Sequence, residues 1–287
     1  MINSILSNRK TQGIMKHIFM IAASFSIVAI LLICIFLLMN GIPALKEIGF
    51  INFILGKQWR PGDIPAEFGI FPMLLGSVYV TAYALLFATP IGLGSSIYMA
   101  FYARKSHTKY IEILIGLMAG IPSVVYGFFG MVVIVPIIRN ISGNGNSILS
   151  AAILLAMMIL PTIITISYNA LISVNKALYD NAIALGVSHE YSIRKVILKA
   201  SKSGIMASLV LGMGRAIGET MAVIMVVGNQ AVVRLPFDIF KGVRTLTGNI
   251  VIEMGYAAGL HREALIATGL VLFVIILFVN TLFSIIS

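Results

Sequence analysis

The chain has 287 residues, of which 59% are hydrophobic and only 10% charged, and its mean hydropathy is +1.03. A soluble domain of this length carries about a quarter charged residues, so that class is excluded and helical membrane spans must account for nearly all of the sequence. The net charge of +10 does not indicate nucleic acid, because the basic residues are scattered through short loops without interleaved aromatics and fit a membrane-orienting role.

Six apolar segments are long enough to cross a bilayer, which takes about 20 residues each. The predicted fold is an all-α polytopic membrane protein with six transmembrane helices. Residues 1–17, with Arg9, Lys10 and Lys16, form an N-terminal segment ahead of the first span at 18–39. Asn40-Gly41-Ile42-Pro43 offers no small-x-small cleavage site, so that span is expected to be retained. Cys34 lies inside it and is the single cysteine, which rules out an intrachain disulfide. An extended polar segment follows over 40–70, and residues 71–287 form the core, with spans near 71–100, 111–137, 148–172, 204–227 and 264–286.

Within the second span, Pro90-Ile91-Gly92 is expected to kink or divide the helix. The strings Ala119-Gly120-Ile121-Pro122 through Tyr126-Gly127-Phe128-Phe129-Gly130 and Met157-Met158-Ile159-Leu160-Pro161-Thr162 are unusual for plain spans. Gly120, Pro122, Gly127 and Pro161 are read mainly as packing or kink positions, Gly120 pairing with Gly116 as a small-x-x-x-small contact. The loop 173–203 is polar, and a second long loop covers 228–263. Eleven Lys and Arg on one side against eight on the other favour a cytoplasmic N-terminus. An even span count then puts both termini in the cytoplasm of a cell-membrane protein.

The fifth span carries the chain's most expensive residues. Arg215 and Glu219 sit in an otherwise apolar stretch, and a mid-membrane charge costs about 2.5–3.5 kcal/mol on insertion scales. Four apart, they share a face of a continuous helix and can reach each other. Gly214 and Gly218 add a close-packing pair. One reading is a self-neutralising pair that only fixes packing. The other is a transport role, since Arg before Glu is the weaker order for a helical pair and five guanidinium donors exceed what one carboxylate satisfies. Spare donors beside an aqueous path suit an anion with several oxygens.

Loop 173–203 reads as two short amphipathic helices broken at Gly186, either a docking knob for a soluble partner or a solvated connector. It resembles the cytoplasmic motif of ABC importer permeases (Glu-Ala-Ala, three residues, Gly, nine residues, Ile-x-Leu-Pro). Gly186 falls at the glycine, Ala182 at the second alanine, Val196 at the isoleucine and Leu198 at the leucine. Asp180 stands for Glu, Asn181 for the first Ala and Lys199 for Pro. The resemblance implies that this loop couples to an ATP-hydrolysing subunit. No Gly-x-x-x-x-Gly-Lys-[Ser/Thr] phosphate loop occurs here, so a separate chain is expected to bind ATP and Mg, with no cofactor held by this one.

From about Trp59 onward the chain resembles the PstC-type permeases of phosphate ABC importers. The resemblance rests on Phe68-Gly69-Ile70 with Pro72 and Gly76, the strings around Pro122 and Pro161, and above all Gly218-Glu219-Thr220-Met221-Ala222-Val223 with Gly228-Asn229. It implies a type I ABC importer permease fold and a phosphate pathway containing Arg215, Glu219 and Thr220. The partners implied are a second permease of the PstA type, a dimeric ATP-binding subunit and an extracytoplasmic phosphate-binding protein. Thr245-Leu246-Thr247 also fits the family pattern, without a role. An enzyme is not expected: Asp63, Asp180 and Asp238 all lie in loops, and the four histidines stand far apart without metal-ligand spacing. The remaining alternatives are a permease for another oxyanion or small solute and an ion-coupled carrier or channel.

Overall fold

The computed structural model describes residues 9–286. Positions 1–8 of the N-terminal segment therefore lie outside the described residues. Five helices are long and apolar enough to cross a membrane, or six when the bent pair His189–Ala200 and Lys202–Gly218 is taken as one span. The chain is a multi-pass membrane protein.

Helix α1 runs from Arg9 to Ile48, well beyond the 18–39 run, and continues through Pro43. Phe25, Ile30 and Leu32 are exposed, as suits a helix whose solvent is lipid. It packs along α14 (Gly259–Ile286), where Gly41 lies against Ala267 and Leu270. The segment 40–70 is not an extended polar connector. It holds the end of α1, the short helix α2 (Phe50–Leu55) and a two-stranded hairpin, β1 (Trp59–Arg60) antiparallel to β2 (Glu67–Phe68), with Trp59 opposite Phe68. Phe53, Trp59, Phe68 and Ile70 are buried there with Leu246 and Leu265. These few large side chains are enough to fold a stretch that reads as polar by average.

The core is the pair α3 (Phe71–Ile97) and α7 (Ile148–Ile172), which run in the same direction, Thr81 lying near Leu155 and Gly92 against Ile163. Val80, Ala84, Ala88 and Gly92 recur every four residues and present a narrow stripe to Leu155, Ile159 and Ile163. Small residues at that spacing let membrane helices approach closely, which is the main source of packing energy where lipid is as apolar as leucine. Helix α3 is not divided at Pro90. It continues past it and ends in a π-helical turn, Tyr98–Tyr102.

The third segment differs from the expected 111–137 span. Helix α4 (Lys105–Gly120) stops, Ile121 and Pro122 are extended, and α5 (Ser123–Phe129) restarts before a π turn and α6 (Val135–Ser142). Pro122 has no N–H to donate and disfavours helical geometry at Ile121. Tyr126 Oη donates to Met118 O at 3.0 Å, spanning the break. A hydropathy window averages over such a gap, which is why the sequence shows one run.

After α7 come α8 (Lys176–Ala184), α9 (His189–Ser192), a π turn at Ile193–Ile197 and α10 (Leu198–Ala200). The chain then bends by 68° into α11 (Lys202–Gly218). At the other end of the bundle, α12 (Met221–Ile224) leads into a loop that returns along itself, Val243 N–H donating to Val227 O at 3.1 Å, and enters α13 (Leu246–Glu253). Gly76 permits this return, since a Cβ there would collide with the Arg244 carbonyl.

Candidate functional site

The sequence predicts one helix over 204–227, and the structure breaks it at the residues of interest. Helix α11 ends at Gly218; Glu219 is extended (φ −69°, ψ 132°) and Thr220 is non-helical before α12 begins. Gly214 and Gly218 weaken the last turn, because glycine loses more backbone freedom in a helix than any other residue. The break is then satisfied by named groups. Glu219 Oε1 accepts Ala222 N–H at 3.4 Å, Thr220 Oγ1 donates to Gly218 O at 3.2 Å, and Thr247 Oγ1 donates to Glu219 O at 3.2 Å. Irregular backbone at membrane depth is tolerated where protein groups or a water-lined cavity supply its hydrogen bonds.

This break corrects the expectation that Arg215 and Glu219 share a helix face. The two form no ion pair within 4 Å. Arg215 is exposed, and its Nη1 donates to Thr162 Oγ1 on α7 at 3.3 Å. Thr162 follows Pro161, which is buried inside α7. A guanidinium has five N–H donors, so a single hydroxyl leaves most of them available. Next to Thr162 lies a cleft of about 460 Å³ between α4 and α7, with Glu112, Gly116, Pro161, Thr162 and Thr165 among its walls. Thr162 itself was not singled out by the sequence; its position beside an intrahelical proline was the available signal.

The two broken spans meet. Helix α5 packs on α12, and a Cβ at Gly127 would run into Ala222 and the Met225 side chain. Gly127 thus packs closely on α12, whereas Gly120, Gly214 and Gly218 each face open space within this chain. Gly120 and Gly218 instead mark the last residues of α4 and α11.

At the other end of the bundle, the helix–Gly–helix shape of loop 173–203 is present. Gly186 adopts φ +80° after α8, and Ser188 Oγ accepts Tyr191 N–H to start α9. Asp180, Asn181 and Gly186 are exposed, Ala182 is buried, and Val196 and Leu198 are half-buried. The protruding apolar side chain is Leu185, 83% exposed. His189 ties this knob to the membrane core. Its Nδ1 lies 2.7 Å from Tyr179 Oη on α8, and its ring meets Tyr102 edge-on at 5.2 Å, at the end of α3.

A third polar cluster was not anticipated. Glu253, 5% exposed, pairs with Arg244 Nη1 at 2.5 Å and lies 2.9 Å from His261 Nε2, and it accepts Trp59 Nε1–H at 2.7 Å. Arg244 also donates to Asn249 Oδ1 at 2.9 Å and to Asn229 O at 3.0 Å. Thr245 Oγ1 caps α13 by accepting Gly248 N–H at 3.1 Å, and Leu246 is buried. This network pins the returning loop to the hairpin, which gives Thr245-Leu246-Thr247 a structural role. Asn249 and Glu253, four apart on one helix, were the legible signal.

Comparison with known proteins places the fold. The pattern described as "Binding-protein-dependent transport system inner membrane component" matches residues 92–287. The chain is 40% identical over 261 residues to the probable ABC transporter permease protein YqgH of Bacillus subtilis, covering 89% of this chain and 82% of that protein. It is 32% identical to the phosphate transport system permease protein PstC of Mesorhizobium japonicum, covering 81% and 76%. Among solved structures, a bacterial ABC transporter involved in import of the acidic polysaccharide alginate superimposes with a TM-score of 0.58 at 15% identity, over 97% of this chain and 100% of that one. The structural likeness supports the type I ABC importer permease architecture, and the sequence match fixes the lineage: the chain belongs to the family of binding-protein-dependent transport system inner membrane components.

Proposed function

We propose that this chain is the PstC-type permease subunit of an ATP-driven importer and that it passes inorganic phosphate to the cytoplasm by alternating access. Membership of the family implies work alongside a second permease, an ATP-binding subunit and a binding protein. In our reading these are a PstA-type permease, a dimeric ATPase that uses ATP and Mg, and an extracytoplasmic phosphate-binding protein. Relatives named as phosphate permeases support the substrate.

The observation that carries the reading is Arg215. It is an exposed guanidinium in a spanning helix, held by one threonine hydroxyl rather than by Glu219, one turn before a break in that helix. Arginine suits phosphate because its planar fork matches two oxygens at once. Weak binding is required here, since a tight site would not release its cargo. Glu219 and Thr220 shape the break, and the exposed knob at Asp180, Asn181 and Gly186 carries the ATPase contact, with Ala182, Val196 and Leu198 supporting it from within. In this reading the knob and both termini lie in the cytoplasm.

The test is uptake by the complete complex in proteoliposomes with ATP and the binding protein. Labelled phosphate accumulates and labelled sulfate does not. Equal accumulation of both, or of neither, contradicts the substrate assignment.

A further inference from the structure

Behind the break at Glu219, five elements leave a small void. Ser77 and Thr81 of α3 and Thr245 at the head of α13 surround it together with Glu219 and apolar side chains of α3, α7, α11 and α12, among them Leu155, Ala216 and Val223. Its volume is about 10 Å³, and by this measure roughly 10–15 Å³ is needed for a single water. The void is therefore sized for one oxygen atom.

Four of its wall residues are polar, although the void lies between membrane helices. Ser77, Thr81 and Thr245 are 9%, 5% and 6% exposed. Ser77 Oγ accepts Leu246 N–H at 2.9 Å, which leaves its own O–H to be placed. Thr245 Oγ1 accepts Gly248 N–H and lies 3.3 Å from Thr247 Oγ1. Among the described residues Thr81 has no hydrogen-bond partner, and one Glu219 oxygen takes Ala222 N–H while the other takes nothing. Thr81 lines the void, so its hydroxyl is free to donate to whatever occupies it. The group that completes this crevice is small, accepts from hydroxyls and donates to a carboxylate.

Water meets that description, and so does the P–OH oxygen of hydrogen phosphate. A fully deprotonated oxyanion does not, because it brings no proton to Glu219 and is repelled by its charge. We propose that the Ser77–Thr81–Thr245 crevice is a specificity subsite that takes one protonated oxygen of phosphate, Thr81 and Ser77 donating and Glu219 accepting. This deepens the phosphate reading and rests on it. Ala216, in the crevice wall, directly follows Arg215 in α11, so the same helical turn presents the guanidinium and closes the oxygen pocket.

Thr81→Val removes the hydroxyl and keeps the shape, and replacing an unpartnered hydroxyl by a methyl leaves folding intact. In the reconstituted complex, phosphate uptake falls by about tenfold, the loss of one hydrogen bond to a charged group. Thr81→Ser restores it to within about twofold of the native rate, since the donor is returned. Native uptake by Thr81→Val overturns the subsite, leaving a structural water only. Uptake by Thr81→Ser as poor as by Thr81→Val also overturns it and assigns Thr81 to packing. Should Thr81→Val fail to assemble, judged by copurification with its partner subunits, Thr81→Ala carries the same expectation. Absence of phosphate uptake by the unaltered complex contradicts the substrate reading instead, and the subsite with it.

Discussion

Glu253 and Arg215 are both charged and adjoin apolar elements, yet their environments assign them opposite tasks. Glu253 has each oxygen engaged, by Arg244 on one side and by Trp59 and His261 on the other. A buried carboxylate so completely paired is structural, and removing one member leaves the others desolvated and uncompensated. Glu253→Ala should therefore lower stability by about 3–5 kcal/mol, seen as an earlier thermal unfolding transition of the purified complex. An unchanged transition contradicts the structural assignment. Arg215 has one hydroxyl contact and is otherwise exposed within this chain, the pattern of a group that waits for a ligand. The sequence identified Arg215 and Glu219 as the residues to explain. It misjudged how they relate, because four-residue spacing implies a shared face only while the helix continues, and Glu219 is already outside it.

At the scale of elements, the glycine and proline strings were legible and the breaks they cause were not fully so. Gly120-Ile121-Pro122 and Gly218-Glu219-Thr220 both end helices partway along apolar runs. Hydropathy cannot locate such ends, since the flanking residues are equally apolar on either side. The hairpin at Trp59 was missed for a related reason: its burial depends on partners nearly two hundred positions away, such as Glu253. The helix–Gly–helix knob was legible, because Gly186 is the one position between α8 and α9 where a left-handed φ ends the helix. Gly186→Asp places a side chain in that conformation, which costs about 1–2 kcal/mol, and adds a charge to the exposed tip. The expected outcome is loss of the ATPase from the purified membrane subunits. Copurification at native levels counts against the coupling role.

The whole molecule is a tightly packed pair, α3 and α7, surrounded by elements with less internal support. Helix α1 packs on α14, which joins the rest through α11 and α13; Gly120, Gly214 and Gly218 face open space within the chain, and Arg215 has only its Thr162 contact. A permease that works beside a second permease has this distribution: a rigid centre, and a side of broken helices left open toward the path. Alternating access requires such a division, since one body must move against another around the site. In the proposed function Arg215 serves the passing anion rather than the fold. The decisive measurement is phosphate uptake by proteoliposomes carrying the complete complex with Arg215→Ala. Uptake is expected to be abolished while all subunits still copurify; uptake at the native rate would contradict this role of Arg215.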